Sequence, residues 1–221
     1  MKLLFSAATK LAAGLLLIGA LLFWPAGTFA FPGAWLFLGL LFVPMLFMGI
    51  ALFLRAPALL AKRLDPKEKE ATQKGVVALS GLMFPAGFLL AAFDFRFAWS
   101  SVPTWLVAVA SALFLVGYAM YAEVMRENAY LSRTVEVQEG QTVISTGLYG
   151  IVRHPMYLAT FFMFLPLSLI LGSFYGLIPF ALYPVLIVVR ILNEEKLLTE
   201  SLDGYAEYKE KVKYRLIPFV F

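Results

Sequence analysis

The polar residues that could do chemistry are concentrated in the last third of the chain, in two short groups. The first is Arg153-His154-Pro155-Met156-Tyr157, which contains the only histidine of the sequence. Proline favours the first turn of a helix, so a helix is predicted to begin at Pro155. A helix N-terminus beside an arginine is a natural site for an anion. The alternative is an arginine that anchors the chain at a membrane surface, next to a histidine bonded to backbone.

The second group consists of Arg190 and the pair Glu194-Glu195, which follow an apolar run. Residues four apart share one face of a helix, so Arg190 and Glu194 should lie side by side. Ionisable residues at the edge of a membrane span are costly and are commonly functional. A simple ion pair at that edge is the alternative.

An amphipathic helix is predicted after Glu195. Its apolar residues recur at helical spacing with charges between them, at Leu197, Leu198, Leu202, Tyr205, Tyr208 and Val212. A helix of this kind lies in the interface between membrane and water. It could cover a mouth formed by His154 and Glu194, or it could serve only as a membrane anchor.

The composition indicates which elements must position these residues. Of the 221 residues, 62% are hydrophobic and 14% are charged, whereas a soluble domain is about half apolar and a quarter charged. Too few polar side chains remain to cover a water-soluble monomer, and 21 phenylalanines exclude a disordered chain. Without cysteine and with one histidine, the sequence offers no disulfide, thiolate or multi-histidine metal site. The net charge of +4 gives no reason to expect a nucleic acid partner.

The chain is therefore predicted to be an all-α polytopic membrane protein with about six transmembrane helices, followed by the interfacial amphipathic helix. Apolar runs of spanning length lie at residues 8–30, 34–54, 75–95, 103–125, 155–172 and 174–192. If these spans alternate, all of the 18 basic residues except Arg96 lie on one side. The positive-inside rule then places both termini in the cytoplasm.

Two segments allow further expectations. The first run could be a cleaved signal peptide, which would leave five spans, but its apolar stretch is long and its cleavage-site residues are poor, so a retained helix is expected. The polar segment 126–153 should contain a strand-like run at 134–137, a turn at Glu139-Gly140 and a short extended run at 142–144.

Five ordered elements in residues 126–221 resemble the isoprenylcysteine carboxyl methyltransferase and phospholipid methyltransferase superfamily of integral membrane enzymes. They are Gly147-x-Tyr149, Arg153-His154-Pro155-x-Tyr157, Arg190-x-x-x-Glu194-Glu195, Tyr205-x-x-Tyr208 and Arg215-Leu216-Ile217-Pro218. The sequence departs from the family pattern at Ala159, where the family has glycine, and at Leu202-Asp203, where Phe usually precedes the glycine. The resemblance implies variable transmembrane helices at 1–125 and a methyltransferase-like core at 126–221.

The resemblance also implies S-adenosylmethionine as the cofactor, bound on the cytoplasmic side, and a lipophilic acceptor that arrives through the membrane. The implied cofactor-binding residues are Gln141, Thr142, Val143, Ile144, Tyr149, His154, Pro155, Met156, Tyr157 and Glu194. Arg190 would bind the acceptor and, with Glu195, form the catalytic pair. A carboxylate acceptor needs no base, whereas an amine acceptor could lose its proton to Glu195 or His154.

Two other functions compete with this hypothesis. NADPH-dependent membrane sterol or enone reductases share a similar Arg-His-Pro-x-Tyr turn and a closing Tyr-Arg-x-Ile-Pro, which 214–218 matches. They lack the paired glutamates, which favours the methyltransferase. A scaffold or transporter is the third candidate, but transporters place polar groups near the middle of the bilayer, and here the charges lie at its edge. The acceptor stays open among prenylated cysteine, phospholipid amine, quinone-like molecules and hydrophobic thiols.

Overall fold

The computed structural model describes residues 2–64, 71–131 and 137–221, with backbone only at 71–73. Ten α-helices lie in these ranges: α1 Lys2–Ala26, α2 Pro32–Arg55, α3 Pro57–Leu64, α4 Ala71–Phe97, α5 Thr104–Glu127, α6 Pro155–Phe164, α7 Leu167–Ile170, α8 Leu177–Phe180, α9 Tyr183–Ser201 and α10 Tyr205–Lys211. A 3-10 turn, Gly147–Gly150, precedes α6. The described ranges contain no strand, which confirms the all-α class.

Five helical segments are long and apolar enough to cross a membrane: Lys2–Ala26, Pro32–Arg55, Lys74–Phe97, Thr104–Glu127 and Leu177–Ser201. They correspond to five of the six predicted spans. The predicted span 155–172 is helical but shorter, because Pro155–Ile170 is interrupted between α6 and α7. At 1.5 Å per residue these helices reach about 24 Å, less than the roughly 30 Å of a hydrocarbon core.

The last span differs from its predicted limits of 174–192. Its beginning is only the single turn α8, and its main part, α9, starts at Tyr183 with Pro184 in the first turn and continues to Ser201. Proline is favoured in a first turn and breaks a helix interior, which explains the position of this break. Glu194 and Glu195 consequently lie within a continuous helix instead of after its end.

The predicted features of the segment before α6 are only partly present. The turn at Glu139-Gly140 is confirmed, with Gly140 at a φ of +70° and a hydrogen bond from the Gln141 amide to the Gln138 carbonyl. Residues 142–144 form irregular chain with no strand partner in the described ranges. The strand-like run at 134–137 lies outside the described residues except for Val137.

A buried carboxylate holds the turn between α7 and α8 against the end of α4. Asp94 is fully buried, and its Oδ2 accepts hydrogen bonds from the hydroxyls of Ser100 and Ser173, each at 2.5 Å. Its Oδ1 accepts from the Ser100 amide at 2.7 Å, and Ser168 donates to the Ser173 carbonyl at 2.6 Å. Lipid cannot satisfy backbone polar groups. This Asp94 network therefore explains how the short α6–α7 segment can turn back within the protein.

The fold brings α5 close to α6 through a small residue. A Cβ added to Gly117 of α5 would lie only 2.7 Å from the Ala159 carbonyl oxygen and 2.7 Å from Met163. Small residues allow membrane helices to approach this closely. The glycine of this contact lies on α5, opposite the position where the family pattern has glycine and this chain has Ala159.

The N-terminal helices complete the bundle. Helix α1 packs against α4 and α2, so the predicted first span is a helix in contact with its neighbours. Helix α3 packs its buried Leu59 into a cluster with Val124, Met125 and Tyr149. A helix from the N-terminal half therefore lies against the segment that precedes α6.

Candidate functional site

A partly open cleft lies where the segment 141–144, the N-terminus of α6, the end of α9 and α10 meet. All of the predicted cofactor-binding residues line this cleft, namely Gln141, Thr142, Val143, Ile144, Tyr149, His154, Pro155, Met156, Tyr157 and Glu194. Arg190 lines it as well. The fold thus brings together residues that are more than 50 positions apart in the sequence.

Arg190 and Glu194 share a face of α9, as predicted, and both are joined to one tyrosine of α6. The hydroxyl of Tyr157 donates to Glu194 Oε2 at 2.5 Å and accepts from Arg190 Nε at 2.9 Å. The Arg190 guanidinium carbon also lies 5.9 Å from the centre of the Tyr157 ring. Tyr157 therefore fixes the predicted cofactor-binding carboxylate relative to the predicted acceptor-binding guanidinium.

Glu195 points away from the cleft and does not belong to its lining. It is buried, and its Oε1 lies 2.6 Å from Arg153 Nε and 3.3 Å from His154 Nε2. Its Oε2 accepts from Arg215 Nε at 2.8 Å. A carboxylate engaged by three cationic or potentially cationic side chains is better suited to hold chain segments together than to take a proton from an acceptor. We refer to Glu195, Arg153, His154 and Arg215 as the Glu195 network.

The Glu195 network attaches the C-terminal tail to the turn before α6. The amides of Arg153 and His154 donate to the carbonyls of Tyr214 and Arg215, each at 2.9 Å. Arg153 Nη1 donates to the Val212 carbonyl at 2.7 Å. The predicted anion site at Arg153 is thus already engaged on two sides by the protein, although Arg153 still lines the cleft.

The predicted amphipathic helix is divided in two. Its first residues continue α9, and Gly204, with a φ of +81°, allows the chain to turn into α10. A residue with a Cβ would be strained in this conformation. Helix α10 then packs Tyr205 and Tyr208 against Val143 of the cleft. The amphipathic helix was expected to cover a mouth formed by His154 and Glu194. In the structure its second part, α10, contacts the segment 141–144 at Val143.

Tyr149 connects α5, the 3-10 turn and α10. Its hydroxyl accepts a hydrogen bond from Asn128 Nδ2 at 2.8 Å, and its carbonyl accepts one from the Tyr208 hydroxyl at 2.6 Å. Burial raises the pKa of Tyr149 to about 12, so it is a neutral group at physiological pH. Gly147, at a φ of +51°, leaves room for the Glu127 carboxylate, which would collide with any Cβ there. The glycine of the Gly147-x-Tyr149 motif therefore has a steric reason.

Helix α3 adds two basic residues to the surroundings of the cleft that the sequence alone did not single out. Arg63 donates to the Tyr121 hydroxyl, and its Nη1 lies 4.0 Å from the sulfur of Met156. Lys62 donates to the side chain of Gln138. This segment has the sequence of an ordinary basic surface, so only its position in the fold indicates its relation to the cleft.

Other residues of the lining were not predicted as cofactor-binding residues, among them Asn128, Tyr130, Leu198 and Tyr205. Tyr205 and Tyr208 belong to a motif of the resemblance and were expected on the amphipathic helix, but no cofactor-binding role was assigned to them. In the described part of the chain, two buried side-chain atoms have no hydrogen-bond partner, Tyr205 Oη and Glu127 Oε2. A buried polar atom without a partner costs about 1–3 kcal/mol, which makes the Tyr205 hydroxyl in the cleft wall notable.

Comparison with known proteins gives a family match and a similar fold. The family model described as phospholipid methyltransferase matches residues 105–203, a range that begins with α5 and includes α6 to α9. The structure of the eukaryotic intramembrane Ras methyltransferase ICMT, isoprenylcysteine carboxyl methyltransferase, superposes with a TM-score of 0.58. The similarity covers 97% of this chain and 77% of ICMT at 20% sequence identity, and at that identity it shows the fold.

One curated relative belongs to the competing class of enzymes. It is the Delta(14)-sterol reductase TM7SF2 of Mus musculus, which is 33% identical over 92 residues. The matched part is 40% of this chain and only 22% of the length of the reductase. The comparisons confirm the resemblance to the isoprenylcysteine carboxyl methyltransferase and phospholipid methyltransferase superfamily, by sequence over residues 105–203 and by fold over nearly the whole chain.

Proposed function

We propose that the protein transfers a methyl group from S-adenosylmethionine to a lipophilic acceptor at the cytoplasmic face of a membrane. The observation that carries this proposal is the cleft itself. It gathers every residue that the resemblance implies for the cofactor, and Arg190 stands beside them. The match of residues 105–203 to phospholipid methyltransferases supports the same reaction class.

The cleft residues fit this cofactor in charge and polarity. S-adenosylmethionine is cationic at sulfur, and the carboxylate of Glu194 and the ring of Tyr157 are suitable neighbours for a cation. Both residues line the cleft, and the unpartnered hydroxyl of Tyr205 offers a further hydrogen bond to a polar ligand. When bound, the cofactor supplies an activated methyl group. The segment 141–144 and the turn His154 to Tyr157 would hold it.

The contribution of the protein is mainly positional. The Tyr157 hydroxyl keeps Glu194 and Arg190 in fixed relation, so a donor held by one and an acceptor held by the other would meet in a defined orientation. Fixing two reactants in this way removes much of the entropic barrier of a bimolecular reaction. Helix α10 covers one wall of the cleft and so limits access of water.

The surroundings of Arg190 support a lipophilic acceptor with an anionic end. Val185, Val189 and Leu192 of α9 are 60%, 40% and 48% exposed, and their spacing gives the helix an apolar outer face. In a membrane this face contacts lipid. Arg190 follows Val189 directly in α9 and its side chain lines the cleft, so this helix connects the apolar outer face with the cleft. A carboxylate or phosphate would bind it with two parallel hydrogen bonds.

Reduction of a sterol or enone with NADPH is the second candidate, because the mouse sterol reductase shares 33% identity over 92 residues. Two observations favour methyl transfer over it. The family match is to phospholipid methyltransferases, and Glu194 and Glu195, which the reductase pattern lacks, both have defined roles in the geometry.

A methyl-transfer assay tests the proposal. The purified protein in lipid nanodiscs is incubated with S-adenosylmethionine labelled in the methyl group and with a lipid extract, and the organic phase is counted. We expect label in a lipophilic product with the native protein and much less with Glu194→Gln. No label above the background, together with NADPH oxidation in the presence of a sterol with a conjugated double bond, would favour the reductase.

A further inference from the structure

Two tyrosines of α10 differ sharply in how their hydroxyl groups are satisfied. Tyr205 and Tyr208 lie on the same helix, are 4% and 5% exposed, and both line the cleft. Tyr208 donates to the carbonyl of Tyr149 at 2.6 Å. Among the residues that the structure describes, the hydroxyl of Tyr205 has no hydrogen-bond partner, and it is buried.

The Tyr205 hydroxyl lies in strongly polar surroundings. Its side chain lines the cleft together with Glu194 and Arg153, and the charges of Glu194, Glu195 and Arg153 act on the hydroxyl. Burial raises the pKa of Tyr205 above its usual range, and the group is therefore a neutral hydroxyl that can donate a hydrogen bond. Buried hydroxyl groups nearly always have partners, so this hydroxyl has to bond either an ordered water or an atom of a ligand in the cleft.

We infer that Tyr205 is a further cofactor-binding residue, whose hydroxyl hydrogen-bonds a polar atom of the nucleoside-type cofactor. This inference rests on the proposed function. It assigns different tasks to the two tyrosines of α10. Tyr208 attaches the helix to the Tyr149 turn whether or not a ligand is present, whereas Tyr205 contributes only when the cleft is filled. Ligand binding would thereby hold α10 more firmly over the segment 141–144.

The matched variants Tyr205→Phe and Tyr208→Phe test this difference, since each removes one oxygen from a buried ring on the same helix. The full-length purified protein is titrated with S-adenosylhomocysteine by calorimetry, and its thermal unfolding is recorded without ligand. For Tyr205→Phe we expect affinity for S-adenosylhomocysteine to fall about 3- to 10-fold, the range of one neutral hydrogen bond. The unfolding midpoint without ligand should be unchanged or higher. For Tyr208→Phe we expect a lower midpoint.

A second probe, 5′-methylthioadenosine, lacks the amino acid end of the cofactor. A loss with both probes would assign the bond to the nucleoside part, and a loss with S-adenosylhomocysteine alone would assign it to the amino acid part; either supports the inference. Unchanged affinity of Tyr205→Phe, or a fall of its midpoint as large as that of Tyr208→Phe, would overturn it while native binding persists. If the native protein does not bind S-adenosylhomocysteine, the proposed function itself fails, and this inference fails with it.

Discussion

Two buried carboxylates at opposite ends of the bundle hold distant parts of the chain together by different chemistry. Glu195, beside the cleft, is engaged by the side chains of Arg153, His154 and Arg215. Asp94, at the far end of α4, accepts hydrogen bonds from two serine hydroxyls and one backbone amide. The Asp94 network connects α4 to the turn between α7 and α8. The Glu195 network connects α9 to the C-terminal tail.

The difference reflects what each end of the bundle has to do. At the Asp94 end, the turn before α8 needs its polar groups satisfied away from lipid, and neutral donors are sufficient for that. At the cleft, the C-terminal tail and the turn before α6 must stay in register so that charged side chains keep their positions. Paired charges are more costly to bury, but they depend strictly on one another, because removing one partner leaves the others uncompensated.

The largest effect is expected for Glu195→Gln. The substitution leaves Arg153 buried without its carboxylate, and breaking a buried ion pair in this way costs about 3–5 kcal/mol of stability. Thermal unfolding in detergent should therefore occur at a much lower temperature. Glu200→Gln, an exposed glutamate on the same helix, is the matched control and should unfold like the native protein. If Glu195→Gln unfolded at the same temperature as the native protein, the Glu195 network would not hold the C-terminal tail in place.

A strong effect of a different kind is expected for Arg190→Gln. If Arg190 binds an anionic acceptor, methyl transfer should fall about 10-fold or more, the scale of a lost charge-assisted hydrogen bond, while affinity for S-adenosylhomocysteine changes by only a few-fold. Arg190→Lys should restore little, because an ammonium lacks the planar fork that grips a carboxylate or phosphate.

Tyr157→Phe is the companion variant for this test. It removes the hydroxyl that joins Glu194 to Arg190, so it should weaken cofactor binding and methyl transfer together. Equal losses of both properties in Arg190→Gln would mean that Arg190 serves Glu194, and the acceptor role would be discarded.

A smaller effect is expected for Asp94→Asn. The amide keeps the shape of the carboxylate and one acceptor oxygen, so the variant should lose about 1–2 kcal/mol of stability through weaker hydrogen bonds to the serines. Affinity for S-adenosylhomocysteine should stay at the native value, because the Asp94 network lies far from the cleft. If Asp94→Asn instead lost affinity for S-adenosylhomocysteine and kept the native stability, the Asp94 network would affect the cleft, and the two networks would not differ as described.

Sequence reasoning succeeded where short spacing determines geometry. Pro155 begins α6 as predicted, and the interval of four residues places Arg190 and Glu194 on one face of α9. It could not locate Tyr205 relative to Glu194, because Gly204 redirects the chain between α9 and α10. The breaks near Pro166 and Pro184 were also beyond a hydropathy pattern, which shows apolar length but not the partners that satisfy a broken helix.

The contribution of α3 was equally invisible in the sequence. Lys62 and Arg63 have the composition of a basic surface, and only tertiary packing brings them to Gln138 and Met156. Glu195 shows the reverse case. Its motif suggested chemistry, but its neighbour Glu194 faces the cleft while Glu195 faces the tail, since adjacent residues on a helix point about 100° apart.

Two separate titrations of the protein, one with S-adenosylhomocysteine and one with NADPH, test the central claim that the cleft binds S-adenosylmethionine. Calorimetry of the native protein with S-adenosylhomocysteine should give saturable binding, and Glu194→Gln should weaken it by about 10- to 150-fold, as expected for a lost hydrogen bond to a charged group. NADPH in the same assay should give no binding. Saturable binding of NADPH without any response to S-adenosylhomocysteine would contradict the account.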